Sequence, residues 1–155
     1  MEDQFMKPFE IEVAKTFETL MGIRPRRAQT KTKECAESTF EVSAIIGISG
    51  GGTGGVVLSF PRNVACKAVS LMIDEECVQL DQDVADGVGE LVNIISGNAK
   101  RDLVKLGYDG LLLSLPHVVI GRHRTVWRSK DMPCRITWFE ADGLGEFCIE
   151  VNIRR

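Results

Sequence analysis

The chain has 155 residues, of which 44% are hydrophobic and 26% are charged, and its formal net charge is −3 at pH 7. These proportions are typical of a soluble globular protein, and the length suits one domain over residues 1–155. The slightly acidic balance excludes the strongly basic classes, so we expect no nucleic-acid partner. Neither a leader pattern nor an apolar stretch of about 18 residues occurs, so we expect no membrane span.

The cysteines and the basic residues also carry information. The chain has five cysteines, and they form no C-x-x-C pair. This pattern argues against a disulfide framework or a tetrahedral zinc site and favours a reducing, cytoplasmic location.

Two basic clusters are more typical of solvated loop or strand faces than of a polyanion site: Arg24, Arg26, Arg27, Lys31 and Lys33, and Arg122, Arg124, Arg128 and Lys130.

The first half of the chain predicts two helices around a hairpin. Apolar residues at helical spacing run over residues 5–21 and stop at Gly22. Residues 38–48 and 54–60 have strand character, and the glycine cluster between them indicates a hairpin loop. It is not a phosphate-binding loop, because no G-K-[ST] follows and the next element is a strand. Pro61 then begins a second helix.

The second half predicts one long helix followed by strands. The helix covers residues 83–106, and a strand over residues 110–121 holds Pro116, a residue that sheets tolerate at edges or bulges. Residues 134–141 and 146–153 form a pair joined by a strong turn sequence. This order predicts an α+β fold with helices packed on a mainly antiparallel sheet.

The long helix has two contrasting faces. At about 100° per residue, Asp86, Glu90, Asn93 and Gly97 share one face. The opposite face is an apolar stripe that predicts contact with a core: Val84, Val88, Leu91, Val92, Ile95, Ala99, Leu103 and Leu106. Gly97 costs a helix about 1 kcal/mol relative to alanine, and its missing side chain lets another surface approach closely.

The same segment resembles the active-site signature of the CheC/CheX/FliY family, which are phosphatases of phosphorylated CheY-type response regulators. The family pattern is Asp or Ser, three residues, Glu, two residues, Asn, twenty-two residues and Pro. Asp86, Glu90, Asn93 and Pro116 stand at these spacings. The chain has one such motif, because no other Glu is followed by Asn at that distance, and this is most similar to the CheX members of the family.

The resemblance implies roles for these residues. In the family, the residue matching Asn93 enters the regulator's site and orients a water, and the residue matching Glu90 contacts a lysine beside the phosphoryl group. Mg²⁺ belongs to the regulator, and no cofactor of the chain's own is expected. The resemblance also implies a homodimer formed through strands, for which residues 111–128 are the candidate.

Asp86, Lys100 and Arg101 keep two interpretations each. Asp86 accepts hydrogen bonds near the helix start or contacts the partner. Lys100 and Arg101 meet an acidic regulator surface or are solvated charges, and Pro116 is architectural. His117 and His123 have no third metal ligand, which disfavours a metal site.

The leading hypothesis is thus a phosphatase of a CheY-like regulator in which Glu90 and Asn93 are catalytic. A second hypothesis is a non-catalytic module that binds a response regulator or a motor component. The third, a free-standing hydrolase of small acyl phosphates, is weaker because the sequence offers no Mg²⁺-binding acidic cluster.

Overall fold

The computed structural model describes residues 4–33, 39–121 and 134–155. Within them the chain forms three helices and seven strands. The helices are α1 (Met6–Met21), α2 (Arg62–Ile73) and α3 (Gln82–Lys105). The strands are β1 (Arg26–Lys33), β2 (Val42–Gly50), β3 (Thr53–Phe60), β4 (Leu111–Leu113), β5 (His117–Ile120), β6 (Cys134–Ala141) and β7 (Gly145–Arg154).

The strands form one sheet on which the helices pack. The strand order is β1-β6-β7-β3-β2-β4, and β5 also pairs with β2. All the pairings between these strands are antiparallel. A single hydrophobic core lies between the helices and the sheet. The predicted α+β fold, with helices on a mainly antiparallel sheet, is confirmed.

Aromatic side chains hold α1 against the sheet. The Phe17 ring stacks on the Phe147 ring with their centroids 4.6 Å apart, and Phe60 and Phe139 each stack on Phe147 at 5.3 Å. All four side chains are fully or almost fully buried. Stacked pairs of this kind add stability beyond the burial of their area, so α1 is a fixed support for its neighbours.

Strand β1 is an element that the hydrophobic pattern did not predict. It pairs with β6 along the sheet edge, and its described side chains are exposed or partly exposed. Because charged residues are common on edge strands, the polar sequence of β1 fits that position and gives no apolar alternation. Glu10 of α1 accepts hydrogen bonds from Thr137 of β6 at 2.9 Å and from Thr30 of β1 at 3.3 Å.

The single strand predicted over residues 110–121 is two short strands. Both β4 and β5 pair with β2, and Pro116 lies in the interruption between them. Proline has no N–H to give to a strand ladder. Ser114 makes two hydrogen bonds to Gly47 of β2 at this interruption. Its Oγ accepts from the Gly47 N–H at 2.8 Å, and its N–H donates to the Gly47 carbonyl at 2.9 Å.

The other predicted elements agree with the structure to within a few residues. Helix α1 ends at Gly22, which has a φ of 70° and whose N–H bonds to the Glu18 carbonyl. Pro61 directly precedes α2, and the glycine cluster forms the β2–β3 turn and the start of β3. No helix within the described ranges is long and apolar enough to cross a membrane.

Candidate functional site

Helix α3 is fixed by its apolar side. The residues of the predicted stripe are almost completely buried, apart from the partly buried Leu106: Val84, Val88, Leu91, Val92, Ile95, Ala99 and Leu103. Asp81 caps the N-terminus of the helix, because its carboxylate accepts from the Val84 N–H at 3.2 Å. The helix is therefore anchored along its length, and its outer face is held in a fixed orientation.

The exposed face of α3 carries the four residues that their helical spacing predicts to lie together. Asp86, Glu90, Asn93 and Gly97 are all exposed, and we call them the motif strip. At 1.5 Å of rise per residue, the strip extends for about 16 Å along the helix. The structure thus confirms that these residues share one solvent-facing surface, as the helical period predicts.

Two glycines of α3 differ sharply in their surroundings. A Cβ atom built on Gly87 would lie 2.5 Å from Val69 Cγ2, so this glycine lets α2 and α3 pack closely. A Cβ atom on Gly97 would meet nothing within 4 Å. Nothing in the described fold therefore requires a glycine at position 97.

Pro116 borders the motif strip on one side. A Cβ atom on Gly89, the residue before Glu90, would lie 3.8 Å from Pro116 and 3.5 Å from Val118. Pro116 is partly buried there, and its ring packs beside the helix. The twenty-two-residue interval of the motif therefore joins two positions that lie close together in space.

A groove between α1 and α3 borders the other side of the strip. Its volume is about 340 Å³, and its lining includes Lys15 and Thr19 of α1 and Ile94, Asn98 and Arg101 of α3. The Arg101 guanidinium donates to Asn98 Oδ1 at 2.7 Å. Arg101 is exposed beside the strip, as the sequence predicted.

Asp86 and Lys100 occupy the ends of the motif region. Asp86 accepts a hydrogen bond from Gln82 Nε2 at 2.6 Å, so it does accept a bond near the helix start, but Asp81 makes the backbone cap. Lys100 is partly buried, one turn beyond Ser96. Asp86 is the first residue of the motif strip, and Lys100 lies three residues beyond the last one, Gly97.

The two central side chains of the strip are available to a partner. Within residues 4–33, 39–121 and 134–155, Glu90 and Asn93 make no side-chain hydrogen bond or ion pair. An uncommitted amide offers one acceptor oxygen and two N–H donors, and an uncommitted carboxylate offers two acceptor oxygens. The arrangement places an amide and a carboxylate one turn apart on a rigid, convex surface.

Among the residues that the structure describes, no group of three His, Cys, Asp or Glu side chains could hold a metal ion. His117 lies on β5 and is exposed, whereas His123 lies outside the described residues. The strip itself offers two carboxylates, those of Asp86 and Glu90, and they lie one helical turn apart.

Sequence patterns did not reveal every residue at this site. The contact of Gly89 with Pro116 and Val118 joins segments that are distant along the chain, so no local spacing predicts it. Leu115 is 83% exposed, although it falls within an apolar run that reads as a half-buried strand. The proline next to it was the one available signal that the strand is interrupted.

Comparison with known proteins agrees with this description. Residues 42–140 match the family model described as chemotaxis phosphatase CheX. The chain is 33% identical, over 111 residues that make up 71% of each protein, to a Thermotoga maritima protein named CheY-P phosphatase CheX. The family model covers the motif strip and Pro116.

Solved structures share the fold. The chemotaxis protein CheX of Desulfovibrio desulfuricans is 28% identical with a TM-score of 0.85, and the match covers 97% of this chain and 99% of that one. A CheX-CheY-BeF3-Mg complex from Borrelia burgdorferi matches at 20% identity with a TM-score of 0.81, covering 98% of this chain and 99% of that one, which is a likeness of fold. The resemblance inferred from four residues is therefore confirmed, and the chain belongs to the chemotaxis phosphatase CheX family.

Proposed function

We propose that this protein hydrolyses the aspartyl phosphate of a CheY-like response regulator, and that Asn93 and Glu90 of the motif strip do this work. The observation that carries the proposal is their placement: both side chains are exposed, lie one turn apart and have no partner within the described part of the chain. Membership in a phosphatase family supports the same reaction.

Asn93 orients the attacking water. Its amide holds the water by one hydrogen bond and adds no negative charge beside the phosphoryl oxygens, whereas a carboxylate would repel them. The water oxygen bonds to phosphorus, and the bond between phosphorus and the aspartyl oxygen breaks. The products are the free carboxylate and inorganic phosphate, which keeps both protons of the water.

Glu90 fixes the position of the regulator. Its carboxylate accepts a charge-assisted hydrogen bond from the lysine that stands beside the phosphoryl group of the regulator. Because Glu90 and Asn93 are on one rigid helix, this bond also sets where Asn93 enters the site. An error of about 1 Å in that position costs on the order of a hundredfold in rate.

Mg²⁺ is supplied with the substrate in this proposal. The acidic pocket of the regulator holds the ion, which neutralises charge that develops during phosphoryl transfer. The present chain contributes no cofactor of its own to the reaction. Its contribution is the placement of one water and of one carboxylate.

Three further residues complete the contact surface. Asp86 and Lys100 lie at the two ends of the motif region and contact polar groups of the regulator. Gly97 lets the regulator backbone approach the helix, because the space above it is empty in the described structure. Pro116 has an architectural role beside Gly89.

We further propose a homodimer formed through the sheet edge that β4 and β5 provide. The candidate segment is residues 111–128, of which residues 122–128 lie outside the described residues. An edge of this kind presents backbone groups that pair readily with another strand. A mass of one protomer in light scattering at micromolar concentration would contradict this part of the proposal.

The phosphatase is tested by the decay of phosphorylated CheY-type regulators of the source organism. Each regulator is incubated with Mg²⁺, alone and with a substoichiometric amount of the protein. We expect faster decay for one regulator, loss of the effect in Asn93→Ala, and both a raised KM and a lowered kcat in Glu90→Gln. Asn98→Ala is the matched control, because Asn98 lies on the same helix but turns toward α1.

The same measurement distinguishes the proposed phosphatase from a non-catalytic binding module. A module that only reads the state of the regulator would bind the phosphorylated form without changing the lifetime of the phosphoryl group. Turnover of acetyl phosphate without any regulator would instead favour the free-standing hydrolase. Either result contradicts the proposed reaction.

A further inference from the structure

The groove between α1 and α3 begins directly beside the motif strip. Ile94 lines the groove and lies four residues after Glu90 of the strip. Arg101 also lines it and lies four residues after Gly97. Side chains four residues apart on a helix are neighbours, with their Cβ atoms about 6 Å apart. The groove and the motif strip are therefore parts of one continuous surface.

The groove presents positive charge to a partner. Lys15 of α1 and Arg101 of α3 line it and are exposed, and the Lys15 side chain keeps 65% of its surface accessible. The Glu12 carboxylate lies 3.8 Å from the Lys15 ammonium and offsets part of this charge, but its side chain is only 11% exposed. The two cations are thus more accessible than the one carboxylate beside them.

Arg101 keeps hydrogen-bond donors for a partner. Its guanidinium donates to Asn98 Oδ1 at 2.7 Å, and this bond is exposed to solvent. A guanidinium has five N–H donors in a planar fork that matches a carboxylate. Most of these donors stay unused within the described part of the chain. Because water competes for the exposed bond, it contributes little, and Arg101 does not depend on Asn98 to meet a partner.

The groove lies on the opposite flank of α3 from the candidate dimer segment, residues 111–128. A Cβ atom on Gly89 would lie 3.8 Å from Pro116 and 3.5 Å from Val118, so the Gly89 flank of the helix faces that segment. At 100° per residue, Arg101 is about 120° away from Gly89 around the helix, and Asn93 lies between them. A regulator seated on the motif strip therefore reaches the groove without competing with the proposed dimer contact.

We propose that the groove between α1 and α3 binds an acidic side chain of the phosphorylated response regulator, with Lys15 and Arg101 as its cationic partners. This inference rests on the proposed function, because it adds α1 to the contact surface of the same reaction. The proposed substrate holds its phosphoryl group and Mg²⁺ in an acidic pocket, so the face that it turns toward α3 carries carboxylates. Arg101 is about 12 Å along the helix from Asn93, a distance that a regulator domain covers.

The test removes two positive charges from one of two places on the same pair of helices. The groove variant is Lys15→Gln/Arg101→Gln. The matched control is Lys7→Gln/Lys105→Gln, which also removes one cation from α1 and one from α3. These two lysines line a separate cavity beside Leu106, near the C-terminal end of α3. The two variants have the same net charge, so a difference between them reports on position.

Binding and turnover are measured separately. Calorimetry with the beryllofluoride-loaded regulator and Mg²⁺ gives Kd, and decay of the phosphorylated regulator gives KM and kcat. We expect Kd and KM of the groove variant to rise about tenfold at low ionic strength, because two charge-assisted contacts are lost. Added salt should narrow this difference, since salt screens exposed charges.

The groove variant is expected to keep the wild-type kcat at saturating regulator, since neither side chain touches the reacting atoms. The control variant should keep Kd and KM within about twofold of wild type, because screened charges far from the contact add little. Circular dichroism is expected to show wild-type melting for both variants, because all four side chains are exposed.

Variants of the regulator identify the occupant of the groove. Exposed Asp and Glu residues around its pocket, other than the Mg²⁺ ligands, are changed one at a time to Asn or Gln. One of these changes should raise Kd for the wild-type protein and leave Kd for the groove variant unchanged, because both changes remove the same contact. Additive effects for every carboxylate would contradict the proposed occupant.

Three further results would overturn the role of the groove and leave the phosphatase standing. One is unchanged Kd and KM in the groove variant while Asn93→Ala is inactive. Another is an equal rise of Kd in the control variant, which would assign the effect to overall charge. The third is a change from dimer to monomer in light scattering with unchanged KM per protomer, which would assign the groove to a second copy. A wild-type protein that neither binds nor dephosphorylates any regulator would overturn both proposals.

Discussion

Helix α3 has a buried side and an exposed side, and Gly87 and Gly97 show how the two sides differ. Gly87 is buried, and an added Cβ would lie 2.5 Å from Val69 Cγ2. Gly97 is exposed, and an added Cβ would meet nothing within 4 Å. The first glycine has a reason within the fold, whereas the described fold gives no reason for the second, and the proposed approach of a partner would supply one.

The same division applies to the other residues of the helix. Leu91 is fully buried, whereas Glu90 and Asn93 on either side of it are exposed. Substitutions on the buried side are therefore expected to change stability, and those on the motif strip are expected to change activity. Each substitution below lies either on the buried side of α3 or on the motif strip.

The largest effect on stability is expected for Leu91→Ala. Truncating a fully buried leucine removes apolar contacts and leaves a cavity, so the free energy of unfolding should fall by about 2–5 kcal/mol. Urea denaturation followed by circular dichroism measures it. A loss below about 1 kcal/mol would show that the inner side of α3 is not the packed surface described here.

A smaller loss is expected for Gly87→Ala. The added methyl group must displace Val69, which is itself fully buried, and overpacking of this kind costs about 1–3 kcal/mol. This cost exceeds the gain in helix propensity of about 1 kcal/mol. Thermal melting should therefore show a lower Tm, and a raised Tm would contradict the close packing of α2 on α3.

A small gain in stability, of opposite sign to the losses above, is expected for Gly97→Ala. The methyl group meets open space, so helix propensity alone should stabilise the fold by up to about 1 kcal/mol. The same methyl group obstructs the approach of the regulator, and KM should rise. A variant that is more stable and equally active would show that no partner approaches the helix at Gly97.

The sequence predicted α3 well because its pattern is long and regular. The apolar stripe from Val84 to Leu103 places every exposed motif residue on the opposite side, and the helix begins and ends within one residue of the prediction. The shared face of Glu90 and Asn93 follows from the helical period alone. For this reason the site could be proposed from a single segment.

Other features depend on contacts that no local pattern contains. Strand β1 is polar and exists because its backbone pairs with β6, far along the chain. The interruption between β4 and β5 depends on Ser114 bonding to Gly47, and the packing of Pro116 beside Gly89 depends on the resulting path of the chain. The exposure of Leu115 depends on the same interruption, so no local sequence pattern predicts it. The cytoplasmic location and the homodimer stay predictions.

The most direct test of the account is to measure turnover and stability together for Asn93→Ala. Turnover is the decay of the phosphorylated regulator at substoichiometric enzyme, and stability is the free energy of unfolding in urea. We expect turnover to fall by about a hundredfold or more while stability stays within about 0.5 kcal/mol of wild type. Wild-type turnover in Asn93→Ala, or a loss of stability as large as that of Leu91→Ala, would contradict the assignment of chemistry to the exposed side of α3.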